Sequence, residues 1–203
     1  MKTRFFDVDE IGKEDPSLLS LRSDKAGLRV AKFIKLHYEK VETIRQLTGR
    51  LPAPGEMYKL WTINSFNAFT FLPFLITECE DIINELIIST FSINIRIIDA
   101  FFKLIQDGRI RKITIFINEG MKTRNPEVYD HLSALVGSKP DIIKVIYAWN
   151  HSKISLIQIA DHFFIVDGSG NFGENAQFEQ YSFWDDREGY EFYKNAMLYA
   201  TYK

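Results

Sequence analysis

The chain is expected to fold as an α/β domain, a mixed sheet flanked by helices, with a helical extension at its N-terminus. Three observations predict this. Between residues 86 and 148, short β-rich runs alternate with amphipathic helical segments, an order that implies crossovers and a sheet at least partly parallel. The 203 residues, 46% of them hydrophobic, fill one well-buried core and are too few for a second full domain. No internal repeat or low-complexity tract points to a solenoid or a disordered chain.

The elements follow in order. Residues 1–20 are mixed and polar; Pro16 and Ser17 offer a helix start, and the first dozen read as an arm or edge element. Met1 to Glu10 lacks the apolar centre of a signal peptide, so export is not expected. From Asp24 to about Thr48, residues Leu28, Ala31, Ile34, Leu36, Val41, Ile44 and Leu47 recur at helical spacing, and Gly49, Pro52 and Pro54 supply a stop. Leu21 to Arg50 holds eight Lys or Arg against three Asp or Glu. That excess could grip phosphates, and an ordinary solvated helix face accounts for the same charges. Gly49 to Gly55 reads as a connector between an N-terminal arm and basic amphipathic helix, 1–55, and the domain proper, 56–203.

The most apolar stretch, Phe66 to Ile76, is too short and too interrupted by Asn67 and Pro73 to cross a bilayer, so a soluble protein without a membrane is expected. Leu86 to Phe91 predicts a strand, Asn94 to Gln106 a helix closed by Gly108, and Lys112 to Asn118 a second strand. Pro126 to Val136 predicts a helix broken by Gly137 and Pro140, and Ile142 to Ala148 a third strand. Ser92 is expected to cap the first of these helices. Arg187 to Lys203, rich in Tyr and Phe, predicts a helix packed on the core or on a partner subunit.

Overall charge is nearly balanced, with 25 Lys and Arg against 27 Asp and Glu, so any nucleic-acid surface must be a local patch. The single cysteine, Cys79, has no partner for a disulfide and no companions for a metal site. It reads as a structural thiol in a reducing cytoplasm.

The chemistry lies after the third strand. His151-Ser152-Lys153 is followed by apolar runs at Ile154 to Gln158 and Phe163 to Val166, with Ala160-Asp161-His162 as the turn, and then by Gly168-Ser169-Gly170-Asn171. A turn centred on residue 160 places His151 opposite Ser169 and Lys153 opposite Asp167. Strand alternation projects His151 and Lys153 to one side. Phosphodiester cleavage needs a nucleophile in line with the leaving oxygen and cations or donors on the non-bridging oxygens, where charge accumulates. Imidazole supplies the first; ammonium, hydroxyl and carboxamide supply the second. Glycines around Ser169 would let the backbone turn tightly toward an anion. Ser89-Thr90-Phe91-Ser92 ends a strand where α/β sites tend to form.

His151-x-Lys153 followed by Gly168-Ser169-x-Asn171 resembles the His-Lys-Asp signature of the phospholipase D superfamily, over roughly residues 60–185. The single motif resembles that of the family's small bacterial endonucleases. The resemblance implies a phospholipase D-like mixed sheet, a covalent phosphohistidine and a cofactor-free, metal-independent reaction. It makes His151 the nucleophile or acid, and Lys153, Ser169 and Asn171 the phosphate ligands. It further implies a downstream carboxylate that orients a catalytic histidine, with Glu179 the first choice and Glu174 the second. The family mechanism uses two histidines on opposite sides of phosphorus, and His37, His131 and His162 begin no second motif, so a homodimer would complete the site.

The signature's Asp falls at Gln158 in this chain. The expected activity is therefore a phosphodiesterase of nuclease type on DNA or RNA. A non-catalytic nucleic-acid-binding or assembly module with a degenerate half-site is the alternative, and a phospholipid-processing enzyme a third, for which no apolar anchor is evident.

Overall fold

A computed structural model describes residues 39–63, 66–173 and 178–199. Its centre is one seven-stranded mixed sheet, flanked by helices on both faces. The strands are β1 (Met57–Ile63), β2 (Ile83–Thr90), β3 (Ile113–Asn118), β4 (Ile143–Ala148), β5 (Ile154–Ile159), β6 (His162–Gly168) and β7 (Phe178–Asp185). Their order across the sheet is β1-β7-β6-β5-β2-β3-β4. The strands β2, β3 and β4 are mutually parallel, while β5 returns antiparallel to β2 and continues as the antiparallel series β6, β7, β1. The expected alternation thus forms the parallel half, and the motif hairpin begins the antiparallel half.

Residues 39–48 form a helix, α1. The others are α2 (Phe71–Cys79), α3 (Ile95–Gln106), α4 (Met121–Arg124), α5 (Pro126–Ser138) and α6 (Arg187–Tyr199). The first sheet face buries one large core to which α1 gives Val41 and Ile44, α2 Phe71 and Phe74, α3 Phe101 and Leu104, and α5 Leu132 and Leu135. Among the described residues the second face is covered by α6, with Tyr190 buried against Ile87, Phe116, Leu156 and Ile165. Glu85 of β2 fastens that helix, its Oε2 accepting from Lys194 Nζ at 2.5 Å and Tyr190 Oη at 3.0 Å. Burial works against the Glu85 charge, but those two bonds and the nearby ammonium groups of Lys194 and Lys112 prevail and hold its carboxyl below the usual range.

Several expectations change. The first helix is capped by Asn94, not Ser92: Asn94 Oδ1 accepts from Ile97 N at 3.0 Å, whereas the Ser92 carbonyl accepts from Thr90 Oγ1. Gly137 does not break α5, which runs through it to Ser138. Residue 162 belongs to β6 and not to the turn, since Ile159 pairs with His162 and Ala160 takes the left-handed conformation with φ 48°. Strand β1, helix α2 and strand β7 are additions to the sequence reading. Of the long N-terminal helix expected from Asp24, the part before residue 39, with His37, lies outside the described residues. Two of its basic residues already have acidic partners: Arg45 pairs with Glu42 and Glu78, and Arg50 with Glu56. Among the described residues no helix is long and apolar enough to cross a membrane.

Candidate functional site

The carboxyl ends of β2, β3, β4 and β6 and the amino ends of β5 and β7 lie along one rim of the sheet, because β5 reverses direction beside β2. Residues 149–153 cross that rim, held by a single carboxamide. Asn150 Nδ2 donates to the carbonyls of Thr90 (3.3 Å) and Phe116 (3.2 Å), the last turns of two parallel strands. Its Oδ1 accepts from Ser152 N (3.0 Å), Ser152 Oγ (2.8 Å) and the buried Ser89 Oγ (3.1 Å). The Asn150 carbonyl takes Asn118 Nδ2 at 2.9 Å from the end of β3. Five contacts through one side chain fix the backbone on both sides of residue 150, so the following residue is placed by the sheet itself.

That residue is His151. Its ring is exposed and rests on Phe91, 4.9 Å between centroids. Phe91 also carries the Arg124 guanidinium, 4.3 Å from its centroid, which is braced by Asn118 Oδ1 at 2.9 Å. Such a cation over an aromatic face is attracted by the ring quadrupole. Lys153 folds back so that Nζ donates to the His151 carbonyl at 2.9 Å. Its ammonium is partly buried, which lowers its pKa, and the charge of Glu179 works in the opposite direction.

The hairpin register differs by one residue from the expected one. Ile154, not Lys153, faces Asp167, because the reversal is the two-residue turn Ala160-Asp161. Residues 151–153 precede the strand, so its alternation does not govern them. His151 and Lys153 consequently border different hollows. His151 lines one of about 610 Å³ with Phe91, Asn118, Glu119, Arg124 and Trp149. Lys153 lines one of about 470 Å³ with Lys59, Trp61, Asp167 and Gln180.

Ser169, Asn171 and Glu179 all come to the same rim, each with an assigned partner. Ser169 Oγ donates to Glu179 Oε2 and accepts from Gln180 N at 3.1 Å. Glu179 therefore grips a hydroxyl where the resemblance had it orient an imidazole; Glu174 lies outside the described residues. Asn171 Oδ1 accepts from Phe91 N at 3.2 Å and Thr90 Oγ1 at 3.4 Å, holding the residues that support the His151 ring. The glycines around Ser169 answer to close approach: a Cβ at Gly168 would meet Gln180 O at 2.1 Å, and one at Gly170 would meet Tyr181 Oη at 2.0 Å. Neither has a positive φ.

The two other histidines among the described residues pair with carboxylates. His131 Nε2 lies 2.9 Å from Asp99 Oδ1, joining α5 to α3, and His162 Nδ1 lies 2.5 Å from Asp185 Oδ2. Burial pushes the Cys79 thiol up to about 12, helped by the charges of Asp185, Glu78 and Asp81, so it is an unreactive thiol. Among the described residues no group of three or more His, Cys, Asp or Glu converges as a metal site. Gln158, at the position of the signature's Asp, is five residues beyond Lys153, about 16 Å along the strand at the usual rise. It faces Glu85 across the β2–β5 pair, so the carboxylate of that neighbourhood comes from the adjoining strand.

Sequence reasoning missed Asn150, Asn118 and Arg124. Asn118 carried a signal, as the polar end of a strand otherwise buried and largely apolar. Asn150 directly precedes the motif.

No family model and no curated protein matches the sequence. Solved structures show partial likeness. A polyphosphate kinase from Porphyromonas gingivalis is 13% identical with a TM-score of 0.49, covering 71% of this chain and 26% of its own. A phosphatidylserine synthase from Haemophilus influenzae is 14% identical with a TM-score of 0.45, covering 70% and 37%. The archaeal chromatin protein TrmBL2, described as having a novel mode of DNA binding, is 12% identical with a TM-score of 0.42, covering 85% and 63%. The chain thus spans less than two thirds of each of these proteins.

Proposed function

We propose that the protein is a metal-independent phosphodiesterase of the phospholipase D type, acting on nucleic acid through a site that two copies complete. The observation that carries this reading is the exposed His151 imidazole, fixed by Asn150 on a strand-end rim, with the half-buried Lys153 ammonium bonded to the His151 carbonyl. The same rim gathers Ser169 and Asn171 from a second segment and Glu179 from a third.

In this mechanism a neutral His151 nitrogen attacks phosphorus as the P–O bond to the leaving alkoxide breaks, giving a phosphohistidine. Lys153 holds a non-bridging oxygen, and its charge offsets the negative charge that builds there. The same histidine of a second copy, protonated, gives its proton to the alkoxide. It then takes a proton from the water that attacks phosphorus and releases His151 by breaking the P–N bond. Ser169 and Glu179 keep the β6–β7 side of the rim in place. Asn171 holds the support of the His151 ring and is a positioning residue in this reading.

The test is cleavage of single-stranded DNA, duplex DNA, RNA and a chromogenic phosphodiester, with chelator present, by the wild type and His151→Ala. Loss of about a thousandfold or more is expected in the variant, since it removes the nucleophile. Cleavage abolished by chelator, or undiminished in His151→Ala, would refute the mechanism. A strictly monomeric species that still cleaves would remove the shared site. Gln158 in place of the signature's Asp favours a second reading, a binding module that keeps phosphate affinity without turnover.

A further inference from the structure

The two hollows beside the motif have a common chemistry that the phosphodiesterase reading does not use. Each pairs an exposed aromatic side chain with a cation. In the first, Trp61 is 64% exposed; next to the hollow, on the neighbouring strand, Phe178 is 62% exposed with its ring centroid 5.7 Å from that of Trp61. Lys59, on the same face of β1, is held by Ser182 Oγ at 2.6 Å, and Lys153 closes the far side. In the second, Trp149 is 90% exposed beside Arg124 and the His151 ring. Large apolar side chains left bare in this way mark contact surfaces.

We propose that the hollows are the two halves of a track for single-stranded nucleic acid. A base stacks on Trp61 and Phe178 on one side of the motif and another on Trp149 on the other, leaving a phosphate of the intervening nucleotides at His151 and Lys153. This rests on the phosphodiesterase reading for what happens to that phosphate, but not for the binding itself. Aromatic platforms beside cations are how unpaired strands are held without sequence preference, because every base has a stacking face and every link a negative charge. A duplex keeps those faces stacked against its own bases and cannot present them. Lys59, Lys153 and Arg124 suit the phosphates, while Asp167 and Glu119 in the same hollows are acceptors for the amino groups of bases. The track runs from β1 to the end of β4, six strand spacings or about 29 Å, a span of several nucleotides and not of a long polymer site.

The measurement is fluorescence anisotropy of labelled dT12, U12 and a DNA hairpin duplex, with chelator, on the wild type and His151→Ala, alongside quenching of intrinsic tryptophan emission. Single strands are expected to bind at least tenfold tighter than the hairpin and to quench the emission. Trp61→Ala and Trp149→Ala should each weaken single-strand binding about tenfold, a typical loss for one stacked base, and Trp61→Phe should restore most of it. If Trp61→Ala fails to fold by circular dichroism, Phe178→Ala and wild-type quenching decide the matter.

Equal affinity for hairpin and single strand, no quenching, or unchanged affinity in both alanine variants overturns the proposal. So does a dimer that Trp61→Ala turns into monomers at unchanged affinity, which would give the face to a second copy. Tighter binding to anionic phospholipid vesicles than to dT12 also overturns it. Single-strand binding without cleavage keeps this inference and removes the phosphodiesterase; cleavage without strand preference does the reverse.

Discussion

On the first face of the sheet Phe71, Phe74, Phe101 and Phe164 are fully buried beneath α1, α2, α3 and α5. On the second, α6 covers the middle strands and leaves Trp61 and Phe178 bare at β1 and β7. The two faces of one sheet divide the work. Burial on the first supplies the apolar free energy of folding; incomplete cover on the second leaves side chains available to a ligand beside the motif rim.

Truncation on the closed face is the severest challenge to that division. Phe101→Ala is expected to cost about 3–5 kcal/mol of stability, from lost transfer energy and an unfilled cavity, read by urea denaturation. Trp61→Ala should cost far less; equal losses at the two positions would erase the distinction between the faces.

A smaller effect is expected where α6 meets the open face. Glu85→Gln should lose about 1.5–3 kcal/mol, the usual worth of hydrogen bonds to a charged group. Its pH dependence has a definite sign. The folded-state pKa lies below the ordinary 4.5, so the stabilisation is fully present above 4.5 and disappears as pH falls through the lower folded value. Denaturation midpoints of wild type and Glu85→Gln should therefore converge on acidification and stay apart near neutrality.

The mildest effect concerns Lys153. Burial lowers its pKa below the ordinary 10.5, so its charge is lost earlier than an exposed lysine's as pH rises. Affinity for dA12, whose bases carry no proton that leaves in this range, should begin to fall at lower pH in the wild type than in Lys153→Arg, whose guanidinium remains charged. An identical decline in both proteins would separate Lys153 from phosphate binding.

The parallel half of the sheet was legible because its apolar runs are short, alternate with helical periodicity and end at Gly or Pro. The antiparallel flank was not. Met57–Ile63 exposes Met57, Lys59, Trp61 and Ile63, three of them apolar, so the period of two is hidden by apolar residues on both faces. Phe66 to Ile76 is apolar apart from Asn67 and Thr70 and shows no clear period, which cannot by itself separate a helix from a strand; the capping exchange between Asn67 and Thr70 opens it as a helix. At the candidate site, residue identities were legible but partners were not. Glu179 bonds Ser169, and Asn171 bonds Phe91, through pairings that only the register of β6, β7 and β2 creates. The one-residue change in the β5–β6 register goes with the two-residue turn Ala160-Asp161, which leaves His162 in the strand, where its Nδ1 meets Asp185 Oδ2 and the Phe163 amide donates to Asp185 Oδ1.

The Asn150 clamp has a mechanical corollary. Because its carboxamide is bonded to Thr90 of β2 and Phe116 of β3 together, the His151 loop must break both bonds to swing, which sets it apart from the freely moving loops usual at a protein surface. The imidazole is held as part of the rim and not as part of a free loop.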